Sequence, residues 1–173
     1  MKMKKIIILL TIALSISSCS NAQETEFKKE ALENVMTTTE NTTITFKEIL
    51  EQYKGQTVVV DVWASWCSDC IKGMPKVKAL QEQFPDATYL FISMDKNYEA
   101  WIKGIAKYEV KGEHYLTSDG MKGIFGKSIN LDWIPRYMVI DKQGKIALFK
   151  VIEADDNKLI ETLQSLQTTN NKL

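Results

Sequence analysis

A buried strand that leads into the start of a helix is the feature that most constrains the fold. Residues 57–63 read Thr-Val-Val-Val-Asp-Val-Trp, a β-branched run short enough for a strand covered on both faces. A helical pattern begins at or just after Cys67, and its apolar positions are Ile71, Met74, Val77, Leu80 and Phe84. This strand and helix open the order strand, helix, strand, helix, then a hairpin and a helix, which indicates an α/β domain.

The rest of the chain continues this pattern from residue 44 to residue 168. The predicted elements are helices at 46–53, 101–108 and 159–166 and strands at 88–94, 136–140 and 145–151. The segment 111–133 is predicted to be irregular, with a short helix at 121–125. The first two strands need a crossover and should be parallel, whereas the last two form an antiparallel hairpin, so the sheet is mixed.

The composition excludes several classes of protein. Hydrophobic residues make up 45% of the chain, which excludes a chain that is disordered throughout and a polytopic membrane protein. Lys plus Arg equals Asp plus Glu at 22 each, so nothing in the charge points to a nucleic-acid partner. Three Cys and one His cannot supply a disulfide-stapled scaffold and are poor material for a structural zinc site. We expect no metal and no organic cofactor.

Residues 1–18 have the pattern of a secretory signal. A basic start precedes an apolar run at 6–16, and small residues lead to Cys19. The apolar run is shorter than the ~20 residues that span a bilayer. The segment 16–19 resembles the lipobox of bacterial lipoproteins, in which the cysteine becomes the lipidated first residue. Cleavage after Ala22 is the alternative, and both readings place the domain outside the cytoplasm.

The polar segment between the signal and the domain predicts a tether. Residues 19–43 are rich in Thr, Glu and Asn and contain little to bury, apart from a weak helical pattern at 27–35. The expected organisation is therefore a signal at 1–18, a tether at 19–43, a domain at 44–168 and a tail at 169–173.

The chemistry is predicted at Cys67 and Cys70. A thiolate on Cys67 would lie at a helix start, where free N–H groups and the helix dipole lower the pKa of the thiol below its usual value of about 8.5. Cys70 follows about one helical turn later and could attack a mixed disulfide on Cys67. A structural disulfide, a zinc knuckle or a copper chaperone that uses His114 are the alternatives. His114 is expected to be solvated in a polar loop.

These residues resemble the thioredoxin superfamily over roughly residues 44–167. The segment 63–70, Trp-Ala-Ser-Trp-Cys-Ser-Asp-Cys, looks like the active site of that family, and Pro75 matches its helix-kinking proline. Ile134-Pro135 looks like its cis-proline, and Asp61 matches its buried aspartate. The segment 134–146 and the insertion before it most resemble the exported TlpA/ResA-like branch, which comprises membrane-tethered thiol–disulfide oxidoreductases.

The resemblance implies a fold, an activity and partners. The fold is thioredoxin-like, α/β, with a mixed β-sheet flanked by helices, and the protein is a monomer that reduces disulfides in exported proteins with electrons from a membrane reductase. Cys67 is then the nucleophile, Cys70 the resolving thiol and Asp61 the base that takes the Cys70 proton. The substrate groove is framed by Trp66, Ile134 and Pro135.

Two departures from the family pattern concern the groove and the redox potential. Ser68-Asp69 replaces the Gly-Pro of thioredoxin, and we expect these two residues to tune the redox potential. Residues 152–156 are acidic where the family often has a glycine, which predicts a narrower, more acidic groove. Trp63 either packs in the core or shields the cysteines, and Trp101 and Trp133 are expected to be packing residues.

Two other classes of function remain open. A peroxiredoxin-like peroxidase would need a Thr three residues before its reactive cysteine, and that position is Ala64. A binding or metallochaperone module on a thioredoxin fold would use the cysteines without turnover. The rate at which H₂O₂ oxidises Cys67 would separate these classes from a dithiol exchanger.

Overall fold

The computed structural model describes residues 24–117 and 119–170. The predicted signal and Cys19 lie outside the described residues. The helices and strands, in chain order, are α1 Lys29–Leu32, β1 Val35–Thr38, β2 Thr43–Thr45, α2 Phe46–Gln52, β3 Val58–Trp63, α3 Ser68–Gln83, β4 Thr88–Ser93, α4 Tyr98–Tyr108, β5 Glu113–Leu116, α5 Ile124–Ser128, β6 Arg136–Ile140, β7 Ile146–Val151 and α6 Asn157–Asn170.

The strands form one mixed sheet in the order β2-β1-β5-β4-β3-β6-β7. β4 pairs in parallel with both β3 and β5, while β6 lies antiparallel to β3 and to β7. The predicted parallel pair, the predicted hairpin and the α/β class are therefore confirmed. Every residue of β3 is buried, and because successive side chains point to opposite faces, both faces of the sheet are covered there.

The folded part begins earlier than the sequence predicts, so the tether prediction is wrong from residue 25 onward. β1 and β2 form a hairpin, and β1 adds to the edge of β5. Ala31 and Met36 are buried, and the ring of Phe27 packs edge-on against Phe46. Threonine is β-branched and fits an edge strand, so a polar Thr-rich segment becomes part of the sheet once β5 offers it a partner.

The prediction of irregular structure through residues 111–133 is wrong for β5. The chain from Glu113 to Leu116 pairs with β4, and this places His114 on a strand rather than in a solvated loop. The His114 ring is half-buried, stacks on Phe91 and has Nε2 3.1 Å from the carbonyl oxygen of Val110. Burial lowers the pKa of His114. Four residues are too few to give a clear periodicity, so the pairing with β4 and β1 defines this strand.

No helix within the described ranges is long and apolar enough to cross a membrane.

Candidate active site

The two cysteines lie where β3 ends and α3 begins. Cys67 is the N-cap of α3, and its Sγ accepts a hydrogen bond from the backbone N–H of Cys70 at 3.1 Å. The two residues form a disulfide, with their Cα atoms 5.3 Å apart. Cys67 is 6% exposed and Cys70 only 1% exposed. Solvent and substrates therefore reach Cys67 first, which suits a nucleophile and a resolving thiol in that order.

The start of α3 is suited to hold a negative charge on Cys67. The first N–H groups of a helix have no partner within it, and the dipole is positive at that end. The Cys70 N–H already points at the Cys67 sulfur, at the distance given above. When the disulfide is reduced, the same N–H can stabilise a thiolate, which lowers the pKa of the thiol.

The peptide bond between Ile134 and Pro135 is cis, as the resemblance implied. The Ile134 carbonyl oxygen lies 3.6 Å from Cys67 Sγ, so the structure brings the cysteines and this segment together. Ile134 and Pro135 are both buried. β6 begins with the next residue and pairs with β3, and this pairing brings the segment beside the cysteines.

A buried guanidinium fixes the chain just before the cis-proline. Arg136, the residue after Pro135, is fully buried and forms an ion pair with Asp132 at 2.5 Å. It also donates to the backbone carbonyl oxygens of Ile129 and Asn130, each at 3.3 Å. These contacts close the loop 129–135 on itself and hold the Ile134 carbonyl in place.

Asp61 lies within β3, directly across from Tyr137 on β6. The carboxyl group is buried, and neither of its oxygens has a hydrogen-bond partner. Burial raises the pKa of Asp61 to about 8, and the nearby Tyr137 hydroxyl opposes this rise without reaching good hydrogen-bond geometry. Burial also raises the pKa of Tyr137, and the carboxyl group of Asp61 adds to that effect. Asp61 can thus exchange a proton near neutral pH.

A groove pocket of about 300 Å³ lies next to the cis-proline. Its lining residues are Asp69, Lys72, Gly73, Lys76, Trp133, Pro135, Tyr137, Ile152 and Glu153. Trp133 is 56% exposed, so its assignment as a packing residue is wrong. Ile152 on this pocket and Trp66 beside Cys67 are also exposed. These apolar side chains offer contacts to a polypeptide that approaches the disulfide.

The acidic residues around the groove pocket are paired with lysines. Ser68 and Asp69 are exposed, and Asp69 lies 3.8 Å from the Lys72 ammonium group. Lys76 lies 2.7 Å from Glu153 and 3.1 Å from Asp155. Lys76 therefore offsets part of the negative charge that the sequence predicts for this side of the groove, and it ties the segment after β7 to α3.

The local sequence does not single out Tyr137 or Ile152 as site residues, and it predicts a packing role for Trp133. Tyr137 follows Pro135 by two residues, but its position beside Asp61 depends on the register between β3 and β6. Aligning the antiparallel strands β3 and β6 in the correct register is the step that would identify Tyr137 as the neighbour of Asp61. The other two tryptophans in question behave as core residues, since Trp63 and Trp101 are fully buried.

Other parts of the described chain offer no competing site for the cysteine chemistry. A recess of about 550 Å³, lined in part by Gly55, Lys142 and Leu163, lies at the opposite end of the sheet from the cysteines. Within residues 24–117 and 119–170, no group of three His, Cys, Asp or Glu side chains could hold a metal ion.

A disulfide at a helix start, beside a cis-proline on a mixed sheet, defines a thiol–disulfide oxidoreductase with a thioredoxin fold. A family model described as thioredoxin-like matches residues 55–146, more than half of the chain, and the chain belongs to that family.

Curated relatives agree with this class. The chain is 27% identical to a protein named thiol-disulfide oxidoreductase ResA from Bacillus cereus, over 73% of this chain and 70% of the relative. It is 28% identical to the thiol:disulfide interchange protein DsbE of Pseudomonas aeruginosa, over 61% of this chain and 56% of that protein. The predicted resemblance to the ResA-like branch is confirmed by these names.

Solved structures show the same fold. A thiol-disulfide oxidoreductase from Bacteroides fragilis superposes with a TM-score of 0.65 at 21% identity, over 76% of this chain and 95% of that one. The thioredoxin domain of a thiol-disulfide oxidoreductase from Bacteroides vulgatus gives a TM-score of 0.62 at 24% identity, over 76% of this chain and 90% of that one. At 21% and 24% identity, these two structures show that the fold is shared.

Proposed function

We propose that the protein reduces disulfide bonds in exported proteins outside the cytoplasm, through the dithiol of Cys67 and Cys70. The observation that carries this proposal is the difference between the two sulfurs. Cys67 is the more accessible one and lies at a helix start next to the Ile134 carbonyl, whereas Cys70 is enclosed behind it. An accessible attacking thiol backed by an enclosed resolving thiol is what a two-step exchange requires.

The reaction passes two electrons to the client in two exchange steps. The Cys67 thiolate attacks one sulfur of the client disulfide, so a Cys67–client bond forms and the other client sulfur leaves as a thiolate that takes up a proton. Cys70 then loses its proton and its thiolate attacks Cys67 Sγ. The mixed disulfide breaks, the second client sulfur leaves as a thiolate, and the protein holds the Cys67–Cys70 disulfide.

Asp61 is the proposed base for the second step. Its pKa of about 8 is close to the value of about 8.5 for a free cysteine. Proton transfer from Cys70 to the Asp61 carboxylate is therefore nearly balanced in free energy, which favours general-base catalysis near neutral pH. The proton returns when the disulfide is reduced again, and the electrons for that step come from a membrane reductase.

The direction of the reaction is tested by the reduction potential. We expect the wild-type protein, equilibrated with dithiothreitol, to have a potential at or below about −270 mV, the value of thioredoxin. The negative charge of Asp69, only loosely paired with Lys72, opposes a stable Cys67 thiolate and favours a reducing protein. Cys70→Ser is the control without an internal disulfide. A wild-type potential near about −120 mV would make the protein an oxidase instead.

The site of action is proposed from the sequence of residues 1–19 together with the relatives named ResA and DsbE. If Cys19 carries lipid, Cys19→Ala should move the protein from the membrane fraction to the soluble fraction or block removal of the signal. A single acyl chain anchors only weakly, so stable attachment also implies more than one chain. An intact mass that begins at Gln23 would rule out lipidation.

A further inference from the structure

A second buried carboxylate, outside the chemistry described above, holds the active-site turn, which we define as residues 64–67. Asp95 follows β4 and is buried. Its carboxylate accepts hydrogen bonds from the Ser65 N–H at 2.9 Å, from Ser65 Oγ at 2.7 Å and from Ser93 Oγ at 2.7 Å. Two of these three donors belong to Ser65, which precedes Cys67 by two residues.

Asp95 depends on these neutral donors. None of the lysines and arginines in the described part of the chain forms an ion pair with it. A buried carboxylate without a cation is costly unless hydrogen bonds satisfy its oxygens. Ser93 is itself fixed, because the Asp95 N–H donates to Ser93 Oγ at 2.9 Å. The arrangement therefore ties the active-site turn to the end of β4.

Helix α4 closes the turn from another side. A Cβ atom built on Gly104 would lie 2.5 Å from Ser65 Cβ, so the helix backbone packs directly on Ser65. Within the turn, the Cys67 N–H donates to the Ala64 carbonyl oxygen at 3.1 Å. Ser65 thus has no room to move toward α4, and Asp95 prevents it from moving away.

We propose that Asp95 is a positioning residue for Cys67, acting through Ser65. Its hydrogen bonds set where the Cys67 sulfur lies relative to the Cys70 N–H and the Ile134 carbonyl oxygen. This role rests on the proposed function of Cys67 as the attacking thiol. A displacement of about 1 Å at a reacting atom can cost on the order of 100-fold in rate, so loss of these hydrogen bonds should appear in the reactivity of Cys67.

The test compares Asp95→Ala and Asp95→Asn in the full chain with a matched control elsewhere. Asp141→Ala is that control, because the Asp141 carboxylate also holds a turn, by accepting from the backbone N–H groups of Gln143 and Lys145, but at the far end of β6. The readouts are the pH dependence of alkylation of reduced Cys67 by iodoacetamide, the rate of reduction of a model disulfide, and circular dichroism.

We expect Asp95→Ala to slow disulfide reduction roughly 10- to 100-fold. It should also raise the pKa of the Cys67 thiol above that of Asp95→Asn, which lacks the same negative charge but keeps the hydrogen bonds. Asp95→Asn should stay close to the wild-type rate, because its amide oxygen can accept from the Ser65 N–H while its NH₂ group donates to Ser65 Oγ. Asp141→Ala should keep the wild-type thiol pKa and rate even if it is less stable.

The proposal is overturned if Asp95→Ala keeps the wild-type thiol pKa and rate, if Asp141→Ala shifts them equally, or if Asp95→Asn behaves like Asp95→Ala. If Asp95→Ala fails to fold, Ser65→Ala replaces it in the test. A smaller change in the Cys67 thiol pKa and in the reduction rate, in the same direction, supports the role, and no change overturns it. A wild-type protein that cannot reduce the model disulfide would defeat the proposed function, while alkylation would still test Asp95.

Discussion

Asp61 brings a carboxyl group into a strand whose other residues are apolar, and the structure gives it no hydrogen-bond partner. Such a group is normally expensive because the charged form loses its water. The cost falls when the carboxyl is protonated, and this is why the pKa of Asp61 rises to about 8. The residue therefore costs stability, and under the proposed function it is the base that takes the Cys70 proton.

The shift in the pKa of Asp61 predicts how stability depends on pH. Between the unfolded value of about 3.9 and the folded value of about 8, the folded state binds more protons, so stability falls as the pH rises through this window. Asp61→Asn removes this titration. Its stability relative to wild type should increase toward pH 8 by an amount on the order of 5 kcal/mol at most.

The measurement is urea unfolding of the oxidised wild type and Asp61→Asn near pH 5 and near pH 8. Val62→Ala is the control, because it disturbs the same strand without changing a titratable group. Its effect on the free energy of unfolding should therefore be the same at both pH values. Parallel pH dependences for wild type and Asp61→Asn would show that Asp61 is not a buried group with a raised pKa.

At the scale of single elements, α3 and α4 differ in how closely they approach their neighbours. Gly104 on α4 has Ser65 against it, whereas a Cβ atom on Gly73 of α3 would meet only the Tyr137 hydroxyl, at an ordinary 3.8 Å. The glycine in α4 is therefore required by packing on the active-site turn. The one in α3 is not, and it costs helix stability because glycine has more backbone freedom in the unfolded chain.

These two glycines should respond in opposite directions to the same substitution. Gly104→Ala should lower the free energy of unfolding by about 1–3 kcal/mol, because Ser65 must shift. Gly73→Ala should raise it by about 0.5–1 kcal/mol, because alanine favours the helix. Urea unfolding of both variants tests this prediction, and a change of the same sign in both would contradict the packing of α4 on the turn.

The elements that the sequence predicts are those with a strong local pattern. β3, apart from Asp61, and the centre of β4 are apolar runs, and α2 to α4 show helical spacing, so their local preference and their environment agree. β1, β2 and β5 are short or polar, and they are strands because β1 pairs with β2 and β5, and β5 also pairs with β4. β-Propensity depends on such neighbours, and a single local window does not contain them.

The site divides in the same way. Cys67, Cys70 and Pro135 carry their signal in adjacent residues, so the sequence locates them. The positions of Tyr137 and Asp95 depend on strand pairing and on the end of β4, far from the cysteines in sequence. Trp133 shows most clearly what local sequence cannot predict, because nothing near it in the chain distinguishes an exposed groove residue from a core tryptophan such as Trp101.

At the scale of the whole molecule, residues 25–43 are part of the domain. The Ile146 N–H donates to the Thr25 carbonyl oxygen at 2.9 Å, and β1 covers one edge of β5. Removing this segment would uncover that edge and the core around Met36. An exposed strand edge also invites pairing between chains.

Truncation tests this domain boundary. A chain of residues 24–173 should unfold cooperatively, whereas a chain of residues 44–173 should be less stable by several kcal/mol, on the order expected for losing buried Ala31, Met36 and the packing of Phe27. Urea unfolding and gel filtration of both chains check this, and equal stability would restore the tether interpretation.

The central claim is that Cys67 attacks and Cys70 resolves. Reduced wild type, Cys67→Ser and Cys70→Ser should each be mixed with a peptide that contains one disulfide, and the products followed by intact mass. Cys67 is 6% exposed and Cys70 only 1% exposed, so we predict a long-lived peptide adduct on Cys67 in Cys70→Ser, full turnover in wild type and none in Cys67→Ser. Turnover by Cys67→Ser, or an adduct on Cys70, would contradict the account.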